Sequence, residues 1–220
     1  MSNRVTLGTV TGLPIYGKGV GKVTTAAMAT GGDATPQRDR ILDIVVELLE
    51  TEGYDAIQLR EVARRARTSL ATIYKRYGAR DELILAALDS WMEENRYAGL
   101  TKPHDPDESL YVGLMRVLRT IFEPWEAHPA MLNAYFRART APGGKKLIRR
   151  GFDAVVPAVM EVLADADPEF IEDMDAIVSN VAYGLLGRFA AGEIEITEIL
   201  PSLDRAVRHV TSVYEASESG

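Results

Sequence analysis

No cysteine occurs among the 220 residues. Disulfides, thiolate metal sites and cysteine nucleophiles are therefore excluded, and the chain suits a reducing compartment. Histidine is nearly as scarce. His104, His128 and His209 stand far apart, with no pair at the spacing a helical zinc site needs, and a Gly-x-Ser-x-Gly elbow is missing. These gaps argue against an enzyme, so no catalytic residue, metal ligand or cofactor is expected. No run reaches roughly 18 consecutive apolar residues, the length of a membrane span. Val5 to Tyr16 is broken by Gly8, Gly12 and Pro14 and leads into no signal-peptide cleavage pattern. A soluble cytoplasmic protein without membrane contact is the expectation.

Period-two alternation is absent too, so an all-α fold is expected. What the chain does have is 46% hydrophobic residues, enough for a sizeable core, and an uneven charge. Its net charge of -7 divides into 12 Lys/Arg against 8 Asp/Glu in residues 1–80, and 13 against 24 in residues 81–220. An anion-binding module joined to an acidic body follows from that split.

Residues 1–34 combine seven glycines, many threonines and three cations with no acid before Asp33, the pattern of a flexible arm. Gly12 to Lys18 fits the first seven positions of a phosphate-binding loop, but Gly19 stands where a hydroxyl must hold magnesium. Thr35 and Pro36 then fit an N-cap and a first helical position, and apolar residues from Ile41 to Leu49 recur at helical spacing up to Gly53. Leu59–Ala66 and Leu70–Tyr77 are two further short helices across the turn Arg67-Thr68-Ser69, with Ser69 as N-cap. Three short helices with a tight turn before the last describe a helix-turn-helix over residues 35–80. Asp81 is expected to cap a longer fourth helix. Helices are also expected over 107–126, 128–139, 145–165, 168–191 and 197–215, within a larger helical domain of residues 81–220. The acidic run Asp165, Asp167, Glu169, Glu172, Asp173 and Asp175 surrounds a helix start, where carboxylates are favoured.

The series Gln58-x-Arg60-x-Val62-Ala63-x-x-Ala66-x-x-Ser69-x-x-Thr72-Ile73-Tyr74-x-x-Tyr77-x-x-Arg80-x-x-Leu83 resembles, without gaps, the DNA-binding signature of TetR-family transcriptional regulators. The family usually has glycine where Arg67 and Ala71 stand, and Phe and Lys where Tyr77 and Arg80 stand. Arg67 leaves a strained left-handed turn, an altered turn or an added phosphate contact open. Arg60, Ser69, Leu70, Ala71, Thr72, Tyr74, Lys75, Arg76 and Arg80 are the candidate DNA contacts. Thr72 and Lys75 sit where they reach base edges or phosphate, and Leu70 and Ala71 where they meet thymine methyls. Tyr74 matches the family's phosphate-contacting tyrosine.

For the rest of the chain the resemblance implies a ligand-binding and dimerisation domain. Trp91, Met115, Leu118, Phe122, Trp125, Tyr135, Phe136, Phe152 and Tyr183 are bulky enough to line an effector cavity and equally able to fill a dry core, with Arg137 and Asn180 as polar anchors. Ser179, Gly187, Ala191, Leu203, Val207 and Val210, on the last two helices, are candidates for a homodimer interface. A narrower likeness, in Tyr54 to Arg60 and Ile177 to His209, is to the actinobacterial repressors of sterol catabolism, which respond to acyl-CoA thioesters. The implied function is a sequence-specific repressor controlled by a mainly hydrophobic effector. The competing reading is a helical enzyme or lipid carrier that uses the helix-turn-helix as a protein-contact surface.

Overall fold

A computed structural model describes residues 39–102, 105 and 107–218. The expected arm over 1–34, the loop match at Gly12–Lys18 and the expected helix start at Thr35-Pro36 lie outside the described residues. Every regular element among those described is helical.

The first helix, α1, is Arg40–Thr51 and takes Asp39 as its N-cap: the Asp39 carboxylate accepts from the amide of Ile41 at 3.1 Å. Its stripe Ile41, Ile44, Val45, Leu48 and Leu49 is buried. Gly53, at φ 83°, stops it, a conformation other residues rarely take. The second and third helices, α2 (Leu59–Ala66) and α3 (Leu70–Tyr77), form where the sequence places them. The fourth, α4 (Arg80–Met92), starts after Ala79, so Asp81 lies inside the first turn instead of capping it, where its charge still favours the helix dipole. Five residues of π-helix, Glu93–Tyr97, and a short 3-10 turn, Ala98–Thr101, continue it.

The C-terminal part comprises α5 (Leu110–Ala127), α6 (Pro129–Ala138), α7 (Lys145–Val162), α8 (Pro168–Met174), α9 (Asn180–Ala190) and α10 (Ile199–Glu218). The helix expected over 168–191 is interrupted by a π segment at Asp175–Ser179. Asp167 caps α8 by accepting from the Glu169 amide at 2.8 Å, which accounts for the acidic run as a helix start.

One core cluster begins in α1 to α4 and passes without a break into α5, α6 and the start of α10 through Trp91, Phe122, Trp125, Met131 and Leu203. A second, around Leu114, Val117, Val162, Phe170 and Val207, joins α5, α7, α8 and α10. Polar ties brace the first cluster. The Arg137 guanidinium pairs with Asp55 through two bonds of 2.6 Å, and His128 Nδ1 sits 2.8 Å from Glu50. The helix-turn-helix thus rests directly on α6.

Candidate functional site

The turn between α2 and α3 keeps the geometry its sequence makes costly. Arg67 adopts φ 52° and ψ 45°, the left-handed region, and no other non-glycine described residue has positive φ. There its amide closes onto the carbonyl of Arg64 at 3.3 Å, and the Thr68 amide onto Ala63 at 3.0 Å. The cost is about 1–2 kcal/mol against glycine. Ser69 then caps α3: its Oγ accepts from the Thr72 amide at 3.0 Å and lies 2.8 Å from the Thr72 hydroxyl. The amides of Leu70 and Ala71, in the first turn, have no intrahelical carbonyl to meet, so the helix opens with an anion-attracting end.

Ile73 and a half-buried Tyr77 hold α3 to the core, and Ala71, Thr72, Tyr74, Lys75 and Arg76 are exposed on its other side. Tyr74, at 51% exposure, is an aromatic ring left in solvent on α3. Leu70 is half-buried, while Ser69 and Arg60 are exposed.

The basic side chains fall into two groups. Glu61 binds Arg64 through two bonds, at 2.6 and 2.9 Å, and Arg65 at 2.7 Å, while Arg65 also reaches Glu52 at 2.8 Å. The Arg64 and Arg65 guanidiniums, in that order, hold the Glu61 carboxyl down at about 2. Arg76 and the Tyr77 hydroxyl both donate to Asp39, tying the end of α3 to the start of α1. Arg80 turns inward: Nε donates to the Ile57 carbonyl at 2.6 Å and Nη2 to that of Tyr54 at 2.5 Å. Its expected role as a phosphate clamp is therefore corrected, because the donors that would grip phosphate bind the α1–α2 connection. Arg60, Arg67 and Lys75 have no carboxylate partner among the described residues, so these three cations, with the exposed side of α3, form the surface suited to an anionic polymer. Arg67 was legible as a cation but not as a free one.

The expected ligand residues come together only in part. Trp91 stacks on Trp125 at 4.9 Å, Trp125 meets Tyr135 at 5.7 Å, and Tyr135 meets Phe136 edge-on at 5.9 Å. With Phe122 buried beside them, this is packed core. Met115 belongs to the other cluster, and Leu118 and Phe152 are half-buried. The two expected polar anchors have partners within the chain. Arg137 pairs with Asp55 and lies 4.6 Å over the Tyr54 ring, and the exposed Asn180 amide donates to the Ala176 carbonyl of the preceding π segment at 2.6 Å. Tyr183 is 51% exposed on the outside of α9, its hydroxyl 3.2 Å from Arg139. Two clefts of about 540 and 550 Å³ lie elsewhere: one between α4 and α7 beside Arg76, the other between α8 and α10 around Phe170 and Tyr214. None of the expected ligand residues lines either. Sequence reasoning missed Arg96, a deep arginine beside this aromatic stack. Its sequence signal was weak, because Glu93, Glu94 and Asn95 directly precede it and make it look like part of a solvated face.

The dimer candidates also divide. Leu203 and Val207 are fully buried within the chain, so both are corrected to core. Val210 and Ser179 are half-buried, while Gly187 and Ala191 are exposed. The helix α9 has no buried residue at all, although Val181, Tyr183, Leu185, Leu186 and Phe189 make it strongly apolar. A Cβ added at Gly184 or Gly187 would meet nothing within 4 Å.

Comparison with known proteins fits this geometry. Residues 41–87 match the family model described as bacterial regulatory proteins, tetR family, and residues 108–210 match a tetracyclin repressor-like C-terminal domain. The HTH-type transcriptional repressor KstR of Mycolicibacterium smegmatis is 36% identical over 183 residues, covering 78% of this chain and 85% of that protein. The repressor of the same name from Rhodococcus jostii is 30% identical over 103 residues, a match spanning 46% of this chain and about half, 47%, of that protein. A TetR transcriptional regulator from Rhodococcus sp. RHA1 has the same fold, with a TM-score of 0.57 at 19% identity, covering 78% of this chain and 95% of that one. No helix of the described residues is long and apolar enough to cross a membrane. With both halves of its length matched and a helix-turn-helix in place, the chain belongs to the TetR family of bacterial transcriptional regulators.

Proposed function

We propose that the chain is a homodimeric, sequence-specific repressor that places α3 of each subunit in the major groove of an operator. The observation that carries this reading is the free side of α3. Ala71, Thr72, Tyr74 and Lys75 are exposed there, next to Arg60 and Arg67, which have no carboxylate partner among the described residues, and above a capped helix start. Threonine, lysine and alanine at these positions serve base edges and thymine methyls, while Tyr74, Ser69 and the two arginines serve phosphates. Arg76 contacts phosphate only with the part of its guanidinium not held by Asp39.

Pairing of subunits through the bare face of α9 and the adjoining part of α10 supplies the second reading helix. Half-sites would then lie about 34 Å, or a multiple of it, apart. The likeness to the KstR repressors supports a hydrophobic effector, lipid- or steroid-derived and delivered as an acyl-CoA, that controls operator binding from the C-terminal helices. The expected outcome of a gel-shift with DNA from upstream of the protein's own gene is sequence-specific, salt-sensitive retardation. Retardation that ignores sequence would favour a protein-contact role for the helix-turn-helix. Titration calorimetry with hydrophobic acyl-CoA esters tests the effector: heat with these and none with small polar drugs is expected, and the reverse removes that reading.

A further inference from the structure

Between Glu126 and Asp153 the chain runs for 26 residues without an acid and carries six cations, Arg137, Arg139, Lys145, Lys146, Arg149 and Arg150. Outside that stretch, residues 81–220 hold 7 Lys/Arg against 24 Asp/Glu, so positive charge is concentrated at one place on an otherwise acidic body.

The fold turns this stretch into a fixed corner. After α6 the Gly144 amide meets the Ala141 carbonyl at 2.9 Å, and a Cβ at Gly144 would come within 2.4 Å of the carbonyls of Ala138 and Arg139. The helix α7 then starts at Lys145, and its buried Leu147 anchors it, which leaves Lys145, Lys146, Arg149 and Arg150 exposed together. These cations do not stabilise the helix they open, because positive charge is disfavoured at the N-terminal end of the helix dipole. Arg150 is taken up by Asp89 at 2.8 Å and Glu93 at 2.9 Å. Lys145, Lys146 and Arg149 have no carboxylate partner among the described residues.

The corner stands beside the reading helix. Lys146 and Arg149 line the cleft of about 540 Å³ between α4 and α7, and so do Arg76 and Tyr77 from the last turn of α3. Its acids are Asp89, which Arg150 meets, Asp153, and Glu82, which turns back over Gly78 at the start of its own helix. Gly143 packs on Leu85, whose Cδ1 a Cβ there would approach to 3.2 Å. Leu85 is five residues along α4 from Arg80, about 8 Å at 1.5 Å per residue. One basic wall therefore continues from the end of α3 to the start of α7.

We propose that Lys145, Lys146 and Arg149 form a second DNA contact, holding backbone phosphates of the duplex that flanks the half-site read by α3. This rests on the DNA reading above and lengthens the footprint beyond the helix-turn-helix. Charge complementarity and continuity with the α3 face select a duplex as the occupant, since one polyanion can run past both surfaces. Such a contact carries no base information and adds affinity and a steeper salt dependence. The plainer role, a solvated patch, gives no dependence on DNA beyond the half-sites.

The test uses two duplexes of upstream DNA, one trimmed to the half-sites as mapped by base substitution and one extended by about one helical turn at each end. Fluorescence anisotropy over a salt series compares the full-length wild type with the triple variant Lys145→Ala/Lys146→Ala/Arg149→Ala. The expected result is that the wild type binds the longer duplex about tenfold or more tightly than the trimmed one at low salt, with a steeper slope of log affinity against log salt. The triple variant loses that advantage, with a slope on the longer duplex reduced by up to about five per dimer, and matches the wild type on the trimmed one. Should the triple variant fail to fold, Lys146→Gln and Arg149→Gln, made singly at exposed positions, read the same loss in smaller steps. Equal wild-type affinities for the two duplexes, or variants that keep the full advantage of the longer one, would overturn the second contact and leave α3 on DNA. Variants weakened equally on both duplexes would overturn it as well, by placing these cations at the half-site or in the support of the fold. Absence of sequence-specific binding to either duplex by the wild type would remove the DNA reading and this proposal together.

Discussion

Arg67 and Arg80 show how two cations a helix apart in sequence come to different tasks. Arg67 holds a left-handed turn at φ 52° and its guanidinium has no carboxylate partner among the described residues, so Arg67→Gly removes strain and also frees the unfolded chain. The balance is a gain of up to about 1 kcal/mol in urea unfolding, together with weaker DNA binding if the side chain meets phosphate. A loss of stability on that substitution would mean the side chain supports the turn. Arg80 binds two backbone carbonyls and lies 4.9 Å over the Tyr54 ring, so Arg80→Met should cost about 2 kcal/mol through two orphaned carbonyls. Lysine, with one nitrogen, should not restore it. Glu61 sets an acid limit. Its carboxyl is lowered from 4.5 to about 2 by Arg64 and Arg65, so its contribution is present above about 4.5 and disappears as pH falls toward 2. Solvent exposure keeps that contribution small. Glu61→Gln should flatten the stability profile over that window, and an unchanged profile would remove Glu61 as its source.

Among the elements, α9 is the one whose sequence and surroundings disagree. It is apolar, yet none of its residues is buried and the space around Gly184 and Gly187 is open. Within a lone subunit, Gly187→Ala should therefore stabilise by about 0.5–1 kcal/mol through helix propensity. Gly187→Arg should leave the fold intact but abolish dimers, measured by sedimentation velocity. Dimers that persist in Gly187→Arg would place the interface elsewhere. The elements also show what periodicity can and cannot reveal. Both α2 and α3 were legible to the residue because their stripes and the Ser69 cap are local. The start at Asp39 was not, since that carboxylate is fixed by Arg76 and Tyr77 from 37 and 38 residues away. Nor were the π segments, whose extra residue per turn leaves an apolar pattern nearly unchanged over five residues. Leu203 and Val207 carry the same helical spacing as an interface would, and only the packing of α5 and α9 against α10 assigns them inward. At the candidate DNA surface, residue types were legible but availability was not, because the partners of Arg65, Arg76 and Arg80 lie on other elements or on distant backbone.

In the whole molecule, an acidic body carries a basic face on which Arg60, Arg67 and Lys75 have no carboxylate partner among the described residues, and α1 with the turn after it joins that face to α6 through His128–Glu50 and Arg137–Asp55. The C-terminal helices and α3 are thus connected through one continuous core of packed side chains. The claim on which the rest depends is that the exposed side of α3 meets DNA as part of a dimer. Fluorescence anisotropy on upstream DNA, measured over a salt series for the wild type and for Lys75→Ala and Tyr74→Ala, tests it most directly. Both positions are exposed, so neither change should disturb folding. For a lysine that neutralises one phosphate in each subunit, Lys75→Ala should weaken binding and reduce the slope of log affinity against log salt by about two per dimer. Tyr74→Ala should weaken binding with a smaller change in slope. Affinities and slopes identical to those of the wild type in both variants would contradict the placement of α3 on DNA.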